Sequence, residues 1–149
     1  MNRYNWDKLT HLQLGRYAEY YMKMEFTQFG FEVYSPEVDE RGIDFLVRKS
    51  DGIYYEVQVK SAQNYNYIFL PKRKFKIREN LLVAVVLFVE EEPPKLYLIR
   101  STEWLNPNLV LVDRSYEERK SEPEFGINLS KKNMPLMDKF QFDKIIRGL

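Results

Sequence analysis

The first long pattern along the chain has the period of an amphipathic helix. No proline occurs between Thr10 and Phe29, Thr10 and Gln13 match a capping box, and Gly30 stands where a helix would stop. Projected at about 100° per residue, the apolar side chains form one broad face. That face consists of Leu14, Ala18, Met22, Phe26 and Phe29.

Glu19 falls at the boundary between the apolar and polar faces of this predicted helix. A carboxylate beside apolar neighbours is expected to face a cleft or to meet a cation. The alternative is a boundary glutamate that pairs with Lys23, four residues further along the helix. Spacing alone leaves both interpretations open.

After Gly30 the pattern predicts strands, at residues 31–34, 43–48, 53–60, 81–89 and 95–99. The turn Ser50-Asp51-Gly52 joins the second and third of them into a hairpin. Residues 81–89 are almost entirely apolar, as in a central strand covered on both faces. Residues 101–105 predict a short helix, 109–112 an edge strand, 116–124 a charged loop, and 136–146 a closing helix.

One strand of the hairpin carries three polar groups on a single face. Side chains alternate along residues 53–60, so Glu56, Gln58 and Lys60 point one way while the Val and Tyr residues between them point the other. Asp44 lies at the start of the partner strand, near the same edge of the sheet. Polar groups in a row on a buried strand need partners or a function.

Composition narrows the chemistry of such a site. The chain has 149 residues, of which 44% are hydrophobic, and this length predicts one domain over residues 1–149. It has no cysteine and one histidine, His11, which argues against disulfides and zinc centres. A metal would be held by oxygen ligands, which suit Mg²⁺ or Mn²⁺. No membrane span or signal peptide is evident, so a cytoplasmic protein is expected.

The net charge of +1 argues against nucleic-acid binding by bulk charge alone, but the basic residues are clustered. They follow a group of aromatic residues, a mixture that contacts phosphates and bases in other proteins. The alternative is an ordinary solvated face. The candidate contacts are Arg41, Ser61, Tyr65, Tyr67, Lys72, Arg73, Lys74, Lys76 and Arg78.

The order of these parts resembles the PD-(D/E)XK nuclease superfamily, and within it the archaeal Holliday-junction resolvase-like branch. The resemblance covers about the first half of the chain and is carried by four pieces: Gly15-Arg16-Tyr17-Ala18-Glu19, Gly30-Phe31-Glu32-Val33, Gly42-Ile43-Asp44, and Glu56-Val57-Gln58-Val59-Lys60-Ser61. It implies an α/β (α+β) fold with a restriction-endonuclease-like αβββαβ core, in which helices flank a mixed central sheet.

The resemblance also implies roles for individual residues. Asp44 becomes the central metal ligand, Gln58 occupies the second acidic position, Lys60 lies beside the nucleophile, and Glu19 matches the helix glutamate that helps to bind metal. Glu56, on the same strand face, becomes a further candidate ligand. The implied protein is a Mg²⁺-dependent or Mn²⁺-dependent DNA endonuclease, with branched DNA as a candidate substrate and a homodimer as its expected form.

Two positions depart from the family pattern. Ile43 precedes Asp44 where the superfamily has proline, which affects only the turn. Gln58 stands where an anionic residue is usual, and an amide oxygen binds Mg²⁺ more weakly than a carboxylate. Glu56 would have to reach across two strand residues, about 6.6 Å, to supply the missing charge. Otherwise Glu56 and Lys60 form a same-face ion pair.

Two further functions therefore stay open at this point. A degenerate nuclease fold would bind nucleic acid or a protein partner without cutting. A small-molecule pocket is the other, suggested by the 11 Tyr and 10 Phe, although aromatic residues more often fill a core around a sheet.

Overall fold

A computed structural model describes residues 3–38, 42–115 and 122–149. Its strands and α-helices are, in chain order, α1 (His11–Gln28), β1 (Glu32–Tyr34), β2 (Phe45–Arg48), β3 (Tyr54–Gln63), β4 (Tyr67–Pro71), β5 (Leu81–Phe88), β6 (Lys95–Arg100), β7 (Leu111–Arg114), β8 (Glu124–Asn128), α2 (Met134–Met137) and α3 (Phe142–Arg147). Short 3-10 helices span Trp6–Lys8, Ser101–Leu105 and Asp138–Phe140.

The larger sheet is mixed and has the strand order β1-β2-β3-β5-β6. Strands β2 and β3 form the predicted antiparallel hairpin, and its turn is closed by Gly52 at φ +92°. Strands β3 and β5 run parallel, while β1-β2 and β5-β6 are antiparallel. Strand β5 therefore lies inside the sheet, as its continuous apolar sequence predicts.

Two apolar layers cover β5, one on each face of the sheet. On one face, Leu14, Met22 and Phe26 of α1 pack with Phe142 of α3 over the even-numbered residues of β5. On the other face lies a three-stranded sheet with the order β4-β8-β7. The mixed α+β fold and its mixed central sheet are confirmed, with helices α1 and α3 on one face and the second sheet on the other.

The segment between β3 and β5 differs from the αβββαβ order, because it contains β4 and a turn where that order has a helix. The reason is a period-two pattern in β4, where Ile68 and Leu70 are buried and Phe69 is exposed. Strand β4 pairs with β8, whose first residue, Glu124, belongs to the predicted charged loop. Residues 116–121 of that loop lie outside the described ranges.

The ends of the helices follow the local sequence. Helix α1 has the predicted capping box, in which Thr10 Oγ1 accepts from Gln13 N at 3.2 Å and Gln13 Oε1 accepts from Thr10 N at 2.8 Å. The predicted closing helix at 136–146 is instead broken, because Gln141 is extended at φ −51° and ψ 133° and bridges to Tyr97 of β6. Within the described ranges, no helix is long and apolar enough to cross a membrane.

Candidate functional site

Asp44 is fixed by the backbone of β3 at the point where β2 begins. Its amide donates to the carbonyl oxygen of Val57 at 2.9 Å, and its Oδ2 accepts from the amide of Val59 at 2.6 Å. The carboxylate is thus held across the hairpin at the edge that the sequence predicts. One of its oxygens is bound to the protein in a fixed position, as a pre-organised ligand requires.

Asp44 and Glu19 line the same open cleft, which has a volume of about 290 Å³ and lies between α1 and the β2-β3 hairpin. Glu19 is held on the wall of α1 by Lys23, whose Nζ is 3.4 Å from Glu19 Oε1. Lys23 in turn donates to Ser35 Oγ at 3.0 Å. Both earlier interpretations of Glu19 therefore apply, since it faces a cleft and pairs with Lys23. The full lining consists of His11, Leu12, Gly15, Arg16, Glu19, Asp44 and Val59.

Gln58 is only 8% exposed and lies beside the turn that precedes Asp44. A Cβ atom at Gly42 would lie 3.6 Å from Gln58 Nε2 and 3.7 Å from the carbonyl oxygen of Lys74. Gly42 has φ +69°, a conformation that favours glycine. This glycine therefore lets the chain turn next to Gln58 and Lys74 without strain.

Lys60 is half-buried on the same face of β3 as Gln58. Burial lowers the pKa of the Lys60 ammonium group, the nearby carboxylate of Asp44 raises it, and the positive charge of Lys74 lowers it further; the net shift is downward from 10.5. A lysine with a lowered pKa is neutral in a larger fraction of molecules at a given pH. It is then better able to accept a proton from water.

Glu56 pairs with a different residue from Lys60, the partner that its spacing suggests. It forms a salt bridge with Arg78, whose Nη1 also donates to the carbonyl oxygen of Lys76 at 2.8 Å. The backbone amide of Arg78 donates to Ser101 Oγ at 3.0 Å, so the arginine is anchored at both ends. Glu56 thus balances the charge of Arg78, and it does not line the cleft that holds Asp44 and Glu19.

The described residues contain no group of three or more His, Cys, Asp or Glu side chains that could hold a metal ion. The oxygen donors near the hairpin edge are the carboxylates of Asp44 and Glu19 and the amide of Gln58. Mg²⁺ is commonly held by one or two carboxylates, with waters and substrate phosphates completing the shell. The cleft itself offers the carboxylates of Asp44 and Glu19, whereas Gln58, like Lys60, is not among its lining residues. An ion held there would take its remaining ligands from water and substrate phosphates.

The basic segment after β3 is partly neutralised by acidic side chains. Lys72 Nζ lies 2.6 Å from Asp113 Oδ1 and above the Phe125 ring, and Arg73 Nε lies 2.9 Å from Glu122 Oε2. Lys74 and Lys76 are exposed. Of the basic residues between Lys72 and Arg78, these two lysines form no salt bridge with a described carboxylate.

The remaining predicted nucleic-acid contacts occupy several surroundings. Ser61 is half-buried within β3, and Tyr65 packs at the edge of the core. The rings of Tyr67 and Phe69 pack edge to face with their centroids 4.8 Å apart. The guanidinium carbon of Arg114 lies 4.2 Å from the centroid of the Tyr67 ring. Arg41 lies outside the described residues.

The cleft is also lined by four residues of α1 that were not predicted as site residues, namely His11, Leu12, Gly15 and Arg16. A helical projection centred on Glu19 would have identified them. They lie eight, seven, four and three residues before Glu19 in the sequence. Positions at these separations share one side of a helix.

Comparisons with known proteins support the fold. No family model matches the chain, and no curated protein matches it significantly. Among solved structures, the chain is similar to a bacterial homing endonuclease, I-Ssp6803I, with a TM-score of 0.53 and 18% sequence identity. The similarity covers 76% of this chain and 84% of the homing endonuclease chain. The chain therefore has an endonuclease-like α/β core.

Proposed function

We propose that this protein is a metal-dependent DNA endonuclease of the PD-(D/E)XK type, similar to the Holliday-junction resolvase-like branch. The observation that carries the proposal is the edge of the β2-β3 hairpin. There the fixed carboxylate of Asp44 shares a cleft with Glu19, and it lies close enough to Lys60 to affect its pKa. The endonuclease-like core of the chain supports the same conclusion.

In this proposal Asp44, Glu19 and Gln58 hold Mg²⁺ or Mn²⁺, which when bound offsets the negative charge that develops on the scissile phosphate. Asp44 supplies a ligand oxygen while its Oδ2 stays bonded to the Val59 amide. Lys60 accepts a proton from the attacking water or stabilises the charged transition state. Glu56 acts indirectly, by holding Arg78 in place in the turn that precedes β5.

DNA would lie across the cleft and the segment that follows β3. Lys74 and Lys76 are exposed and form no salt bridge with a described carboxylate, so they can contact phosphates without first breaking an ion pair. Lys72 and Arg73 would have to exchange their acidic partners for phosphates. A branched DNA substrate, a homodimer that provides two cutting sites, and a cytoplasmic location are further parts of the proposal.

The test is cleavage of duplex, single-stranded and four-way-junction DNA by the purified protein with Mg²⁺ or Mn²⁺. Asp44→Asn and Lys60→Ala should each abolish cleavage with an unchanged circular dichroism spectrum. Lys132→Gln, which alters an exposed cation outside the candidate site, serves as the control and should cut normally. Wild-type protein that leaves all three DNA forms intact with both metals would contradict the proposal.

A second candidate function is a nuclease fold that binds nucleic acid without cutting it. The neutral Gln58 favours it, as does the lack of a three-ligand acidic cluster within the described ranges. DNA affinity that survives EDTA and falls with added salt, together with an absence of cleavage, would support this alternative. If no nucleic acid binds, a protein partner becomes the better candidate.

A further inference from the structure

Gly15 occupies an unusual place, the fifth residue of the 18-residue helix α1. Glycine inside a helix destabilises the protein relative to alanine, because more backbone entropy is lost on folding. A positive φ would explain a glycine, but Gly15 is not among the residues with one. Close packing would also explain it, but a Cβ at Gly15 would meet no atom within 4 Å outside its own helix and its chain neighbours.

The space at Gly15 opens into the cleft that holds Glu19 and Asp44. His11 and Arg16 of the same helix also line this cleft. His11 is exposed, and the side chain of Arg16 is 65% exposed with Nη1 4.0 Å from Glu19 Oε2. This pairing is loose, so the guanidinium remains accessible to an anion from solvent.

We propose that Gly15 is a contact point for the sugar-phosphate backbone of DNA, with Arg16 and His11 binding a phosphate adjacent to the one that is cleaved. The glycine lets the nucleic-acid backbone approach α1 more closely than any side chain would permit. The argument for this occupant is the exposed guanidinium of Arg16, which meets the anionic oxygens of the DNA, with the His11 imidazole as a hydrogen-bond partner. The Glu19 side chain is 23% exposed against 65% for Arg16, so its carboxylate lies deeper in the site. The inference rests on the proposed function and adds a substrate-positioning surface to it.

The test varies side-chain volume at Gly15 and measures binding separately from cleavage. Gly15→Ala and Gly15→Leu are compared with wild type for anisotropy of a fluorescein-labelled DNA duplex, with Ca²⁺ replacing Mg²⁺. Gly15→Leu should weaken binding by roughly tenfold, about 1.4 kcal/mol, and Gly15→Ala by less. Both variants should melt at or above the wild-type temperature, a result that a merely structural glycine would not give.

Gln28→Leu is the matched control, since it adds the same side chain to an exposed position in the last turn of the same helix. It should bind DNA as wild type does. Arg16→Gln should weaken binding and reduce the slope of log affinity against log salt by about one, whereas Lys132→Gln should leave that slope unchanged. His11→Ala should weaken binding, because it removes the imidazole that lines the cleft beside Gly15.

The outcomes separate the inference from the proposed function. If wild type binds and cuts DNA but Gly15→Leu does both equally well, the inference is wrong and the proposed function stands. If wild type binds without cutting and Gly15→Leu loses affinity, the endonuclease proposal fails and the contact point is supported. If wild type binds no DNA, or self-associates through this cleft, the inference fails.

Discussion

Gly126 offers the sharpest test of the packing beneath the predicted nucleic-acid contact Tyr67. A Cβ at Gly126 would lie 2.7 Å from Cε2 of the Tyr67 ring and closer still to Cζ and the hydroxyl oxygen. The strand cannot easily shift to relieve this clash, because Trp104 Nε1 donates to the carbonyl oxygen of Gly126 at 3.0 Å. In Gly126→Ala the tyrosine ring must therefore move.

The magnitude follows from what the displaced ring would lose. The edge contact between Tyr67 and Phe69 contributes about 0.5–1.5 kcal/mol and the Arg114 contact about 0.5–1 kcal/mol. Overpacking of a filled site costs about 1–3 kcal/mol. Replacing a glycine within a strand by alanine offsets about 0.5–1 kcal/mol of this, because alanine loses less backbone entropy on folding. The net loss should be about 3 kcal/mol, which lowers the melting temperature of a chain of this length by about 6–12 °C.

Urea denaturation and thermal melting of Gly126→Ala measure this loss directly. The matched control is Gly126→Ala in a Tyr67→Ala background, where the clash is absent and the second substitution should be neutral or stabilising. A Gly126→Ala variant whose unfolding free energy stays within about 0.5 kcal/mol of wild type would refute the reasoning. So would an equal loss in both backgrounds.

Three further predictions concern charge and capping. Lys60→Met should unfold at a higher urea concentration than wild type at neutral pH, because burial disfavours the charged form of Lys60 and lowers its pKa. As the pH rises toward 10.5 the unfolded wild-type chain retains the lysine proton and the folded chain does not, so wild type gains stability and the difference from Lys60→Met should shrink. Arg78→Gln should lower the free energy of unfolding by about 1–2 kcal/mol, because it leaves the Glu56 carboxylate without its partner. In denaturation measurements the Glu56→Gln/Arg78→Gln double variant should lose less than the sum of the two single changes. Thr10→Ala should lose about 1 kcal/mol of unfolding free energy and Thr10→Ser almost none, because serine retains the capping oxygen; equal losses would contradict the capping role.

The sequence predicts those parts of the fold whose pattern is local. Helix α1, the β2-β3 hairpin and the buried strand β5 each have a periodicity, cap or turn that lies within a few residues. Strands β4 and β8 have weaker local patterns and are stabilised by pairing with each other across more than fifty residues of sequence, since Phe69 lies opposite Gly126. Such long-range pairing is not encoded in a short window.

The candidate site divides in the same way. Alternation along β3 predicts that Gln58 and Lys60 share one face, and the hairpin brings Asp44 against the same strand, where its Oδ2 accepts from the Val59 amide. The partner of Glu56 depends on the turn that precedes β5, which brings Arg78 from 22 residues further along the chain. Lys60, two residues away on the same strand face, is the partner that spacing suggests, and it does not form that salt bridge within the described structure.

Gln58 affects both halves of the proposed chemistry, and the two effects oppose each other. Its amide is a weaker ligand for Mg²⁺ than a carboxylate would be, so the proposed metal binding would depend more heavily on Asp44 and Glu19. A carboxylate at this position, two residues from Lys60 on the same strand face, would also stabilise the ammonium form and raise the lysine pKa. With glutamine there, Asp44 is the carboxylate that favours the charged form, while burial and Lys74 act against it. The residue that would weaken the proposed metal site thus helps to keep the pKa of Lys60 low.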